Sequence, residues 1–129
     1  MNFRDFYKHN FELALDFITR IDHLNPVFKV DYRFLILRIY YELSYFEQAF
    51  SALDAFKHFL TNDKEISDDF KIEFKNFARI YSEILKIKAK ESKSDPLAAK
   101  KELDKLNLKT QVTWLRNKID ELIILKKQK

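Results

Sequence analysis

Cysteine and glycine are both missing from this 129-residue chain. Without cysteine the chain can form no disulfide, zinc knuckle, thiol nucleophile or iron–sulfur site. Average usage of about 7% would give roughly nine glycines, and phosphate-binding loops, dinucleotide-binding motifs and nucleophile elbows all depend on them. The lack of cysteine also fits a reducing compartment, so we expect a cytoplasmic location.

Long apolar runs are missing as well. No stretch of seven residues is free of Asp, Glu, Lys and Arg, whereas a membrane-spanning helix needs about 20 predominantly apolar residues and a signal peptide an apolar core of about 7–15. The sequence therefore predicts a soluble chain with no membrane partner. Its hydrophobic content of 47% is enough for one domain with its own core, without help from a metal or a disulfide.

Charged and aromatic residues are distributed unevenly along the chain. The net charge is +4, but residues 1–60 carry 7 basic and 8 acidic groups while residues 84–129 carry 13 and 6. Every aromatic residue except Trp114 lies between Phe3 and Tyr81. We therefore expect most of the core in the first two thirds, a lysine-rich C-terminal third, and a buried Trp114 that anchors the last helices.

Apolar residues recur at spacings of three and four along most of the chain, which is the period of an amphipathic helix. With only two prolines and no glycine, helix ends must be read from polar caps, for which Ser67 or Asp68, Asp95 and Thr110 are the candidates. No segment alternates as a strand would. The pattern predicts an all-α fold of antiparallel helical hairpins, with helices at about 11–24 (with 3–9 either continuous with it or separate), 32–43, 46–60, 68–90, 96–106 and 110–127.

Residues 33–60 resemble one tetratricopeptide repeat, a helical hairpin of 34 residues with set large and small positions. Ala49 takes the small position at which two helices approach closely. Arg33 stands where the repeat has a bulky apolar residue and Leu37 where it has glycine, so we expect looser packing there. The other matching positions are Ile36, Tyr40, Leu43, Ser44, Leu53 and Phe56 in this hairpin, Ala14, Ile18, Ile21 and Pro26 before it, and Phe74, Phe77, Ala78, Tyr81 and Ile84 after it.

The resemblance implies a short solenoid of stacked hairpins that ends in a C-terminal capping helix. The stretch from Thr113 to Ile119 is similar to the closing helix of uncharacterised bacterial proteins with such repeats, so the chain resembles the C-terminal part of a bacterial array. Residues 1–129 then form one helical-repeat domain. Its parts are a partial repeat over 1–27, a repeat-like hairpin over 28–62, a degenerate repeat over 66–106 and the capping helix over 110–127.

No residue pattern in the chain points to catalysis, a cofactor or a metal. The three histidines lack the spacing of metal ligands, and no serine or threonine has an evident base partner. Glu12 and Asp16 share a helix face, but Lys8 and Arg20 lie on the same face, which is typical of a solvated ion-pair row. We therefore expect a non-enzymatic protein with no catalytic residue, cofactor or metal.

In the resembled family the first helices of the hairpins line a concave groove that binds peptides, which implies a scaffold module for a protein or peptide partner. Arg38 and Arg79 fall at equivalent places in successive units, where two guanidinium groups would bind carboxylates of a ligand. Alternatively, they pair with Glu42 or Glu83, four residues on along each helix. The groove residues that the resemblance implies are Asp31, Phe34, Arg38, Tyr41, Lys75, Arg79 and Ser82.

Two other surfaces stay open as alternatives. The aromatic residues that precede the first recognisable half-repeat have no evident covering helix. They would close on the core, mark where a longer array was cut, or form a self-association edge of a homodimer; they are Phe3, Phe6, Tyr7 and Phe11. The lysines of the C-terminal third would neutralise phosphates of a nucleic acid or bind an acidic protein. The lysines of this basic surface are Lys100, Lys101, Lys105 and Lys109.

Overall fold

A computed structural model of the chain describes residues 3–21 and 29–128, without the side chains of residues 3, 4, 6, 19 and 21. Within this part 81% of the residues are helical and none is in a strand, which confirms the all-α prediction. The helices are α1 (Phe3–Ile21), α2 (Asp31–Leu43), α3 (Phe46–Asn62), α4 (Asp68–Lys88), α5 (Pro96–Leu106) and α6 (Val112–Lys127). They group into two compact units, Met1–Lys57 and His58–Lys129.

The first unit contains α1, α2 and most of α3. The segment 3–9 is continuous with the rest of α1, which packs against α2. The connection between α2 and α3 is very short because Ser44 adopts the left-handed conformation with φ 59° and ψ 33°. In the core of the hairpin the ring of Phe34 meets the ring of Phe56 edge-on, with centroids 5.0 Å apart. This contact joins the start of α2 to the later part of α3, as an antiparallel hairpin requires.

The second unit is built from α4, α5 and α6, which pack against one another. The rings of Phe77, Tyr81 and Trp114 form a stack through it, with centroids 5.5 Å apart for the first pair and 6.1 Å for the second. Trp114 is only 8% exposed, which confirms the expectation that it is buried. Leu103 of α5 and Leu115 of α6 are buried as well.

The predicted caps of α4 and α5 are confirmed. The Ser67 hydroxyl accepts a hydrogen bond from the Phe70 amide at 3.2 Å, and the Asp95 carboxylate accepts one from the Leu97 amide at 3.0 Å. This amide, and after it the nearby Lys126 ammonium, holds the pKa of the Asp95 carboxyl below its usual range. A negative charge is therefore kept at the N-terminus of α5, where the helix dipole favours it.

The predicted cap of α6 is wrong. Thr110 is not the residue that starts the helix, because Gln111 follows it in the left-handed conformation, with φ 60° and ψ 14°, and α6 begins only at Val112. Gln111 makes no side-chain cap hydrogen bond. The first amides of α6 therefore lack the capping hydroxyl that the sequence led us to expect.

In this glycine-free chain, three helices are followed by a non-glycine residue in the left-handed conformation. Ser44, Lys90 and Asn107 have φ values of 59°, 62° and 51° after α2, α4 and α5. At the end of α4 the amide of Lys90 donates to the carbonyl of Ile87 at 3.1 Å, and the amide of Glu91 to that of Lys86 at 2.9 Å. This pair of bonds is the Schellman arrangement, in which glycine is the usual residue because a Cβ disfavours positive φ.

Replacing Lys90 with glycine should therefore raise the free energy of unfolding by about 0.5–1 kcal/mol, the strain relieved being larger than the entropy that glycine adds to the unfolded chain. Lys101→Gly is the matched control, since Lys101 lies inside α5, where glycine costs about 0.5–1 kcal/mol. Urea denaturation followed by circular dichroism measures both. A loss of stability in both variants would contradict the argument.

Candidate functional site

The first unit carries a groove of about 610 Å³ between α2 and α3. On α2 its residues lie on the side of the helix away from Phe34, and on α3 they lie beside the face that carries Phe56. On α2 they recur over two helical turns, from Tyr32 to Tyr40, so the groove is about 12 Å long. The lining residues are Tyr32, Arg33, Ile36 and Tyr40 of α2 and Glu47, Gln48, Ser51, Ala52 and Ala55 of α3.

The two helices contribute different kinds of side chain to this α2–α3 groove. On the α3 side the wall of the groove is shallow, because Ser51, Ala52 and Ala55 are small and lie on one helix face. On the α2 side the wall projects farther, because it carries the rings of Tyr32 and Tyr40 at its two ends. Small residues let another backbone approach closely, while tyrosines offer both an apolar ring and a hydroxyl. The groove therefore has one shallow side lined by small residues and one side lined by tyrosine rings.

The groove also has ends of opposite charge. Arg33 lies in the first turn of α2 and Glu47 in the first turn of α3. Since the two helices are antiparallel, these first turns lie at opposite ends of the hairpin. The Arg33 guanidinium lies 5.3 Å from the centre of the Tyr32 ring, within the range of a cation–π contact. An occupant with an acidic and a basic group at its two ends would match this polarity.

The groove that the repeat resemblance implied differs from this one. Phe34 and Tyr41 were expected to point into it, but they are 3% and 2% exposed, and the Phe34 ring packs against Phe56 of α3. Asp31 is exposed and Arg38 is partly buried. The other expected members lie in the second unit, where Lys75 and Arg79 are exposed and Ser82 is partly buried.

Arg79 is engaged within the second unit. Its Nε atom lies 2.7 Å from Glu102 Oε1, which joins α4 to α5. Two similar ion pairs join α5 to α6, one of 2.9 Å from Lys100 Nζ to Asp120 Oδ1 and one of 2.7 Å from Arg116 Nη1 to Asp104 Oδ1. Exposed pairs of this kind contribute little stability each. Together they place opposite charges next to each other where α4 meets α5 and where α5 meets α6.

One of the four lysines predicted to form a basic surface in the C-terminal third is therefore neutralised by an ion pair. Lys100 is paired with Asp120, while Lys101, Lys105 and Lys109 are exposed. The second unit as a whole, residues 58–129, carries 17 basic and 12 acidic groups. An excess of basic groups of this kind would attract an anionic partner.

The predicted self-association edge falls partly outside the described side chains, which do not include those of Phe3 and Phe6. Tyr7 is exposed and Phe11 is partly buried. Leu13 and Phe17, which lie outside the predicted edge, are more exposed than Tyr7. Both are large apolar residues, whereas most of the other exposed residues of α1 are charged or polar.

The α2–α3 groove was not predicted from the sequence because the repeat pattern has a single small position on α3, at Ala49, which lies in the core. The signal that was present is the set of small residues on an adjoining face of the same helix, at Ser51, Ala52 and Ala55. Two faces of small residues on one helix indicate two packing surfaces.

Neither a metal site nor a membrane span occurs among the residues that the structure describes. They include no group of three or more His, Cys, Asp or Glu side chains that could hold a metal ion. None of the helices over 3–21 and 29–128 combines the length and the hydropathy needed to cross a bilayer. No protein family, curated protein or solved structure matches the chain.

Proposed function

We propose that this chain is a non-enzymatic, tetratricopeptide-like module that acts in the cytoplasm and binds a protein partner through the α2–α3 groove. The observation that carries the proposal is the form of the groove, with small residues on one side and tyrosines on the other. Concave surfaces built from a few well-placed polar groups and apolar walls are the usual binding sites of proteins.

The ligand that fits is a short segment of a partner chain. A length of about 12 Å accommodates two turns of helix or about four extended residues. Ile36, Ala52 and Ala55 would pack against an apolar side chain of this segment, and the hydroxyls of Tyr32, Tyr40 and Ser51 would bind its polar groups. An acidic residue near Arg33 and a basic residue near Glu47 would fix its direction.

The test fills the groove without disturbing the core. Ala55 is exposed on α3, so Ala55→Trp should block the groove and change the free energy of unfolding by no more than about 0.5 kcal/mol. Ala98→Trp is the matched control, because Ala98 is an exposed alanine on α5. We expect the wild type and the control to retain the same partner from a lysate, quantified by mass spectrometry, and the groove variant to retain at least tenfold less.

Binding through the basic surface is the second candidate function, favoured by the exposure of Lys101, Lys105 and Lys109. Replacing these three lysines with glutamine would then abolish capture, and affinity would fall steeply with salt because phosphate contacts release counterions. The groove proposal predicts the reverse: the triple variant binds normally, and the salt dependence is shallow. Full capture by both Ala55→Trp and the lysine variant would reject both functions.

A further inference from the structure

Helix α1 has three large apolar side chains that are exposed in the described part of the chain. Leu13 and Phe17 are 55% and 63% exposed, and Tyr7, on the adjoining part of the helix, is 49% exposed. At 100° per residue the three side chains fall within about one third of the helix circumference. Ile18, which is buried, lies only about 20° from Tyr7 around the helix, so Tyr7 borders the inward side of α1 while Leu13 and Phe17 lie farther round the helix. We call the surface formed by Tyr7, Leu13 and Phe17 the α1 face.

Charged residues and a histidine border the α1 face on one flank. Asp5, His9, Asp16 and Arg20 are all exposed and occupy a narrow strip beside Leu13 and Phe17, since their positions lie within about 60° of one another around the helix. Asp16 and Arg20 form an ion pair of 3.0 Å along the helix. Both side chains are more than half exposed, so this pair contributes little stability.

The order of these groups along α1 is complementary to the order in a second copy of the helix that runs antiparallel to it. Asp5 and Arg20 are equally distant from a midpoint between Glu12 and Leu13, and His9 and Asp16 are equally distant from the same midpoint. In an antiparallel pair of helices the same flank of each helix faces its counterpart. Asp5 of one copy then lies opposite Arg20 of the other, and His9 lies opposite Asp16, twice each by symmetry.

We infer that α1 is a homodimerisation helix, in which the α1 faces of two copies pack together antiparallel about a two-fold axis close to Leu13. A parallel pair would place the charged flank of one copy against the uncharged side of the other, near Tyr7 and Ala14, and would lose the charge complementarity. The inference is independent of the α2–α3 groove. A single pair of helices falls at the low end of interface sizes, below about 1,200 Å², so we expect a weak dimer.

Sedimentation equilibrium tests whether the dimer forms. The 15.6 kDa chain should double in mass as the concentration rises through tens to hundreds of micromolar, roughly the range expected of a small interface. Leu13→Ser combined with Phe17→Ser should weaken association at least tenfold. Ile72→Ser is the control, because Ile72 is 59% exposed but lies on α4. A wild type that stays monomeric at every concentration, or equal weakening by the control, would overturn the inference.

Crosslinking tests the antiparallel geometry, and the cysteine-free sequence makes single-cysteine variants unambiguous. With the axis close to Leu13, two copies of Leu13→Cys lie at nearly the same height, whereas two copies of Phe17→Cys are separated by about 13 Å along the helix axis. A short bismaleimide should therefore link Leu13→Cys at least tenfold faster than Phe17→Cys. Equal rates would indicate a parallel pair, and no crosslinking of either would indicate that α1 binds something other than a second copy; both results contradict the inference.

Discussion

Replacing Trp114 with alanine is expected to lower the free energy of unfolding of the second unit by about 3–5 kcal/mol, the range for truncating a buried aromatic ring. The indole is 8% exposed and stacks on the Tyr81 ring, which itself stacks on Phe77. No other aromatic residue lies beyond Tyr81 in the sequence. No neighbouring ring of α5 or α6 is therefore available to fill the space that the substitution leaves.

Urea denaturation followed by circular dichroism measures this effect. Trp114→Phe is the control, because phenylalanine keeps a ring next to Tyr81 and should cost much less than the truncation to alanine. A change within about 0.5 kcal/mol for Trp114→Ala is the range of ordinary surface positions, and it would mean that α6 does not depend on this ring. In the wild type, Trp114 fluorescence reports the same unit without any label.

Replacing Phe56 with alanine should have a comparable effect in the first unit, about 3–5 kcal/mol. The ring is 1% exposed and meets the Phe34 ring edge-on at 5.0 Å, a geometry that contributes about 0.5–1.5 kcal/mol beyond the apolar area it buries. Because this contact joins α2 to α3, its loss should also open the hairpin on which the groove lies.

The same denaturation experiment applies, with Phe56→Leu as the control. Leucine keeps most of the buried volume and should cost no more than about 1.5 kcal/mol. If Phe56→Ala and Phe56→Leu were equally stable, the cavity argument would be wrong and the hairpin would be held by other contacts. A loss of helical signal at 222 nm in the alanine variant before denaturant is added would show that the hairpin requires this ring.

The helices were readable from the sequence because their signals are local. An apolar stripe with a period of 3.6 residues depends on residues within a few turns, and a cap depends on residues within three positions, as at Ser67 and Asp95. The α6 start was misread at Thr110 because the left-handed conformation of Gln111 has no compositional signal. Glycine would have marked such a position, and the chain contains none.

The candidate site could not be read in the same way. Its residues come from two helices, and the pattern within each helix shows which faces are apolar but not which neighbour each face contacts. Phe34 and Tyr41 were placed in a groove on the strength of register with a repeat family, whereas the structure buries both. The α2–α3 groove instead uses Tyr40 and Ile36, which the same register had treated only as repeat positions.

The sequence by itself determined the all-α class, the ends of most helices, the burial of Trp114 and the exclusion of chemistry that needs cysteine or glycine, because each depends on composition or on neighbours along the chain. Only the tertiary structure decided the partners of the charged side chains and the position of the groove. Glu102 lies 23 residues from Arg79 and Asp120 lies 20 from Lys100, and such pairs follow from how helices rotate about their axes when they pack. That rotation is set by all the contacts of a unit at once, so no segment of the sequence specifies it alone.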